Sequence, residues 1–151
     1  MGRREKTIVA NNQRHDAWIF WYLLRAFSWW GGALLLEIAP EQAVVGDANT
    51  TLINTYKAIQ NNKESLKALL DEYTEKHESA SNKKEFYNEM RRKYNNAIQS
   101  APNSLEVCSL FIYLNKTCFN GLYRVNSKGL FNVPFNSREK INLYDDSNLD
   151  D

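Results

Sequence analysis

Residues 114–135, LNKTCFNGLYRVNSKGLFNVPF, bring amides, cations and aromatic rings together on a segment too irregular for a helix and too polar for a buried strand. Its chemical groups are Asn120, Tyr123, Arg124, Asn126, Ser127 and Lys128. A guanidinium meets the edge of guanine through paired hydrogen bonds, and a primary amide does the same for adenine. Lysine and serine hold phosphates. An aromatic or apolar side chain can fill the gap left when a base leaves the stack. The same residues also suit a solvated hairpin with a satisfied asparagine, and composition alone leaves both readings open.

A second group stands earlier. Trp30-Gly31-Gly32-Ala33 leads into LLLEI, and Asp47 follows the apolar run QAVVG. A glycine turn that opens a helix lets backbone approach a ligand, and an acid at the end of the next strand accepts hydrogen bonds from ribose hydroxyls. That is the pattern of a nucleoside-cofactor site. A tight turn with a helix cap would look the same.

The elements that must position these groups are legible in outline. QAVVGD reads as a short buried strand. Leu52, Ile53, Tyr56 and Ile59 recur at helical spacing, with Asn49 or Thr50 as the cap. Leu66, Leu69, Leu70 and Tyr73 mark a second helix, and the polar run TEKHESASNKK reads as a loop or frayed end. A third helix carries Phe86, Tyr87, Met90, Tyr94 and Ile98 on one face and Arg91, Arg92 and Lys93 towards solvent. Ser104 caps a fourth, SLEVCSLFIYLNK, apolar nearly all round and so expected to be buried. Strand, helices and a loop-rich polar module together predict an α/β core with a mostly helical insertion.

Length and charge set the frame. The chain has 151 residues, enough for one domain with a sizeable core, and its net charge of +1 confines any nucleic-acid surface to a local patch. Cys108 and Cys118 match no zinc spacing and no disulfide framework, so free thiols in a reducing cytoplasm are expected. His15 and His77 leave little room for a histidine metal site, and no metal is expected. Residues 17–39 are apolar enough to imitate a membrane span, but Arg25 near their middle opposes insertion by roughly 2.5–3.5 kcal/mol.

The segment LNKTCFNGLYRVNSKGLFNVPFN resembles the target-recognition segment of the Dam-type DNA adenine-N6 methyltransferases, L-N-[RK]-T-C-[FY]-N-G-L-x-R-x-N-x-x-G-x-F-N-V-P-[FY]. The stretch GGALLLEIAPEQAVVGDANTTLINTYKAIQNN is similar to the family's S-adenosylmethionine-binding region. The resemblance covers the chain from about Gly31 onward. It implies a partial Rossmann-like methyltransferase core with a helical target-recognition insertion. It implies Gly31, Gly32 and Asp47 as residues for S-adenosyl-L-methionine. It implies Asn120, Leu122, Arg124, Asn126 and Lys128 as DNA contacts, with Lys116 and Arg138 on the DNA backbone.

The sequence departs from the family in two places. The family's catalytic string D-P-P-Y is absent, and Asn132-Val133-Pro134-Phe135 belongs to the recognition segment rather than to it. The chain is therefore expected to be truncated at residues 145–151, with the catalytic motif on a missing C-terminal polypeptide. Upstream, MGRREKTIVA and LLRAFSWWGGA replace the family's W-G-G-G-K-R-Q-L-L-P and Y-E-P-[FL]-V-G-G-G-A. With codons chosen to fit, residues 1–10 read one base out of frame spell W-G-G-G-K-R-Q-L-L-P. Residues 24–31 likewise spell Y-E-P-L-V-G-G, the opening of the second string. The code itself forces Met1-Gly2 to Trp and Trp29-Trp30-Gly31 to two glycines. Residues 1–30 are accordingly read as an out-of-frame or non-native segment, 31–60 as a partial cofactor-binding core and 61–144 as the helical recognition region. The expected function is site-specific adenine-N6 methylation of duplex DNA, with this chain an inactive fragment. The alternative is a catalytically dead remnant that at most binds DNA. A lone membrane protein is disfavoured. The fourth helix, stripped of partners, is expected to leave apolar faces exposed.

Overall fold

The computed structural model describes residues 6–11 and 42–144. The glycine pair Gly31-Gly32 and the apolar run 17–39 lie outside the described residues. Strands β1 (Lys6–Asn11) and β2 (Gln42–Asp47) pair antiparallel, with Lys6 opposite Asp47 and Asn11 opposite Gln42. Three helices follow: α1 (Thr50–Ser79), α2 (Lys83–Ser100) and α3 (Leu105–Thr117). A single 3-10 turn, Phe119–Gly121, opens an irregular C-terminal module.

This corrects the expected Rossmann-like α/β core. Such a core needs parallel strands joined by crossover helices. Among the described residues the only sheet is the antiparallel pair, and residues 50–144 hold helices and two isolated bridges. The helix after β2 runs for 30 residues and packs along α3. Within the stretch 1–30, only Lys6–Asn11 is described, and it pairs with β2.

Each helix begins where a side-chain oxygen meets otherwise unpaired backbone N–H groups. Asn49 accepts from the amides of Thr51 and Leu52 at 3.1 and 3.3 Å. Asn82 accepts from Glu85 at 3.0 Å, and Ser104 from Val107 at 3.2 Å. The two helices expected between Asn49 and Tyr73 are one helix, interrupted at Asn62, whose backbone (φ −138°, ψ 34°) is not helical.

The helix also continues into the polar run expected to be a loop or frayed end, as far as Ser79, and only residues 80–82 of that run are non-helical. The reason is His77, which is fully buried. Its Nε2 lies 3.1 Å from the Arg138 carbonyl, which can only accept, so Nε2 carries the proton. Its Nδ1 then accepts from the Tyr113 hydroxyl at 2.9 Å. Phe86, Tyr113 and Phe135 surround the ring with centroids 5.9–6.2 Å away. A buried polar anchor thus holds the last turn of α1 that local propensity leaves undecided.

Helix α3 is the centre of the core. Val107, Cys108 and every residue from Ser109 to Asn115 are buried. Contrary to the expected orphan helix, α1, α2 and the C-terminal module cover it, with Phe131, Val133, Ile141 and Leu143 in the same apolar cluster.

Burial pushes the His77 imidazole below its ordinary value of 6.5, so the folded state holds the ring neutral. The unfolded chain then takes up the proton at a higher pH than the native one. This contribution to stability is complete above the unfolded value and is lost as pH falls below it. Thermal unfolding followed from about pH 7.5 to about pH 5 should show a falling midpoint. The His77→Gln variant should be less stable at the upper end but flatter across the range.

Candidate nucleic-acid interface

The polar module is a hairpin mounted on the helices. Antiparallel bridges join Cys118 to Phe135 and Val125 to Phe131. The Phe119 amide donates to the Pro134 carbonyl at 2.8 Å, Asn132 to Arg124 at 3.2 Å, and Asn126 to Leu130 at 2.9 Å. At the tip, the Asn126 Oδ1 accepts from the amides of Lys128 and Leu130 at 2.9 and 3.1 Å. Gly129 closes the turn at φ 75°, a torsion that disfavours a Cβ although the space around it is open.

The returning strand alternates. Phe131 and Val133 point into the core, and Asn132 between them is only half-buried. No neighbouring strand serves the inner backbone groups of this run. Helix α2 serves them instead, through side chains one turn apart. Asn95 pairs with Phe131 as a strand would, its Oδ1 accepting from the amide at 2.8 Å and its Nδ2 donating to the carbonyl at 3.0 Å. The Tyr87 hydroxyl and the Arg91 guanidinium both donate to the Val133 carbonyl, at 2.8 and 3.2 Å. Arg91, expected on a solvated face, is therefore half-buried and structural.

The outward side has a different composition. Phe119, Leu122, Tyr123 and Val125 are the exposed large hydrophobics among the described residues, each 39–51% exposed. Residues 116–140 carry five cations and one carboxylate, Glu139, in a chain of net charge +1. Glu139 itself reaches Lys83 at 3.5 Å. Apolar tips and the exposed cations Arg124 and Lys128 thus alternate along the hairpin.

The candidate residues from the sequence fall into three groups. Asn120, Leu122, Arg124, Asn126 and Lys128 are exposed on the hairpin. Asn120 (φ 54°) and Gly121 (φ 62°) both take the left-handed conformation, and Asn115 Nδ2 donates to the Gly121 carbonyl at 2.8 Å, holding this bend on α3. Asn126 spends its carbonyl oxygen on the turn, which leaves only its amide donors for a ligand. Arg138 exposes its side chain while its carbonyl holds His77. Lys116, at the end of α3, is half-buried and already engaged. Asp47 lies on a different element, exposed at the end of β2, with Oδ1 accepting from the Asn49 amide at 2.6 Å. A carboxylate so placed suits a ribose hydroxyl donor.

The sequence reading did not name Asn95, and it missed the anchoring roles of Tyr87, Asn132 and His77. The spacing of Tyr87, Arg91 and Asn95, four residues apart on α2, was the available signal. Cys118 is buried, and burial pushes its thiol up to about 11, so it is no nucleophile at neutral pH. Among the described residues no cluster of three or more His, Cys, Asp or Glu side chains could hold a metal. No described helix is long and apolar enough to cross a membrane.

Residues 31–151 match the family of D12 class N6 adenine-specific DNA methyltransferases. The chain belongs to that family. The match to D12 methyltransferases extends to individual relatives. The chain is 36% identical to Type II methyltransferase M1.LlaDCHI of Lactococcus lactis subsp. cremoris over 76% of its own length and 39% of the relative's. It is 36% identical to Type II methyltransferase M.MjaIII of Methanocaldococcus jannaschii over 79% and 43%. The DNA adenine methylase of Vibrio cholerae is 35% identical over 72% and 37%. The chain thus spans about two fifths of the length of these D12 relatives.

The clamp on Phe131 makes Asn95 the most sensitive mount of the hairpin. Asn95→Ala should cost about 1–3 kcal/mol in urea unfolding, because an amide and a carbonyl lose their partners together. Tyr87→Phe should cost less, since Arg91 still reaches the Val133 carbonyl. Hydrogen exchange at the Phe131 amide should accelerate in the first variant and not in the second.

Proposed function

We propose that this chain carries the target-recognition surface of a site-specific DNA adenine-N6 methyltransferase, which moves a methyl group from S-adenosylmethionine to adenine in duplex DNA. What carries this reading is the row of exposed apolar side chains interleaved with Arg124 and Lys128 on a hairpin whose other side is locked to α2. A surface that must enter a groove needs this division, because loose side chains would lose conformational freedom on every encounter.

The roles follow from the chemistry of each group. Arg124 reads a base edge. Lys128, Lys116 and Arg138 hold phosphates and set the register, and Asn120 offers an amide to the same groove. Leu122, Phe119 and Tyr123 fill the space that a departing base vacates. Flipping a base out of the stack costs a few kcal/mol, which such filling offsets. S-adenosylmethionine supplies an electrophilic methyl group on a sulfonium. Asp47 is the described residue that would hold its ribose, with Gly31 and Gly32 as the proposed backbone partners.

A second reading has one observation in its favour. The 151 residues contain no D-P-P-Y string, the motif that holds the target amine in the family. On that ground these 151 residues act at most as a DNA-binding module.

Fluorescence anisotropy with duplex DNA tests the recognition role. Binding should weaken steeply with added salt, and Arg124→Ala should weaken it by about 1–3 kcal/mol. Absence of salt-dependent binding would sink the reading. Tritium transfer from S-adenosylmethionine to adenine-methylation-free DNA should stay at background for the purified 151-residue chain. Activity above background would remove the binding-module alternative.

A further inference from the structure

Asn132 is not among the residues that the family resemblance singled out, yet it makes the closest contacts that Arg124 has. Its Oδ1 accepts from Arg124 Nε at 2.8 Å, and its carbonyl accepts from Nη2 at 3.2 Å. Its amide donates to the Arg124 carbonyl at 3.2 Å. Three hydrogen bonds thus join one residue to the backbone and guanidinium of the residue opposite. The neighbours of Asn132 on both sides are fastened to α2, Phe131 by Asn95 and Val133 by Tyr87 and Arg91. An exposed arginine is thereby fixed to a helix through a single asparagine.

The geometry decides which part of the guanidinium is left. Asn132 occupies the edge formed by Nε and Nη2. The opposite end, carrying Nη1 and the second Nη2 hydrogen, stays uncommitted among the described residues. That end is a two-donor fork, and the paired acceptors of guanine, O6 and N7, match it. Adenine and the pyrimidines offer no such pair of acceptors in the major groove.

We propose that Asn132 is a positioning residue for base selection: it holds Arg124 so that only the Nη1–Nη2 end faces the DNA, which makes the surface selective for guanine at one position. The inference rests on the DNA-reading role proposed above. Asn132 acts on selectivity rather than on charge, because removing it leaves every cation in place.

The test is selection of the full 151-residue chain on a pool of duplexes with a randomised core, followed by sequencing. Wild type should enrich a motif with guanine at one position. Asn132→Ala should lower that preference roughly tenfold, while affinity for the unselected pool and its salt slope stay unchanged. Asn132→Asp retains the acceptor and should keep the preference. Arg124→Lys leaves Asn132 untouched but cannot form the fork, so it should lose the same preference even if Asn132→Ala folds poorly. The Arg124 Nε–Hε resonance should be protected from exchange in wild type and unprotected in a folded Asn132→Ala. An unchanged motif in Asn132→Ala overturns the inference alone. So does an equal loss of affinity for all sequences, which marks a purely structural or phosphate-binding role. A wild-type chain that enriches no motif overturns it together with the reading beneath it.

Discussion

A short extended run with a strand partner on one edge only is the constraint on which the rest of this structure depends. Residues 131–133 bury two apolar side chains, and buried backbone N–H and C=O groups must find partners. Helix α2 provides them from Tyr87, Arg91 and Asn95. Asn95 does for Phe131 what an adjacent strand would do, with one donor and one acceptor. Because these bonds act on backbone, they set the register of the hairpin without using the side chains on its outer side.

That arrangement separates two tasks on one segment. The inward residues Phe131 and Val133 extend the apolar core built round α3. The outward residues Phe119, Leu122, Tyr123 and Val125 keep their surface in water. Exposed apolar groups lower solubility unless they meet a partner, and here they stand among cations in a chain whose net charge is only +1. The DNA-recognition role proposed above would account for such a surface, because duplex DNA offers both phosphates and base faces.

The core is rich in aromatic rings with polar handles. Tyr56, Tyr87, Tyr94 and Tyr113 are nearly or wholly buried, and burial raises the phenols well above their ordinary value. They stay neutral: Tyr87 and Tyr113 donate to the Val133 carbonyl and to His77, and all four pack in the apolar core. His77 gathers three parts of the chain at one ring: α1 through its own backbone, α3 through Tyr113 and the tail through Arg138. The position of a surface arginine is thus tied to a core histidine.

By itself the sequence determined the local features. Caps at Asn49 and Ser104, the buried character of α3, the apolar face of α2 and the turn at Lys128-Gly129 follow from side-chain chemistry within a few residues. The exposed, turn-rich character of residues 120–129 was legible too, although composition alone left a DNA-reading and a merely solvated hairpin equally open. Tertiary structure alone decided the rest. Whether QAVVGD enters a parallel core or an antiparallel pair depends on a strand far away in sequence, and here that partner is Lys6–Asn11. Whether TEKHES frays or stays helical depends on Tyr113 and Arg138, which lie 36 and 61 residues from His77. Whether Arg91 is solvated or structural depends on a carbonyl 42 residues on. Propensity acts between neighbours in sequence, whereas burial and hydrogen-bond satisfaction act between neighbours in space, and only the folded chain says which those are.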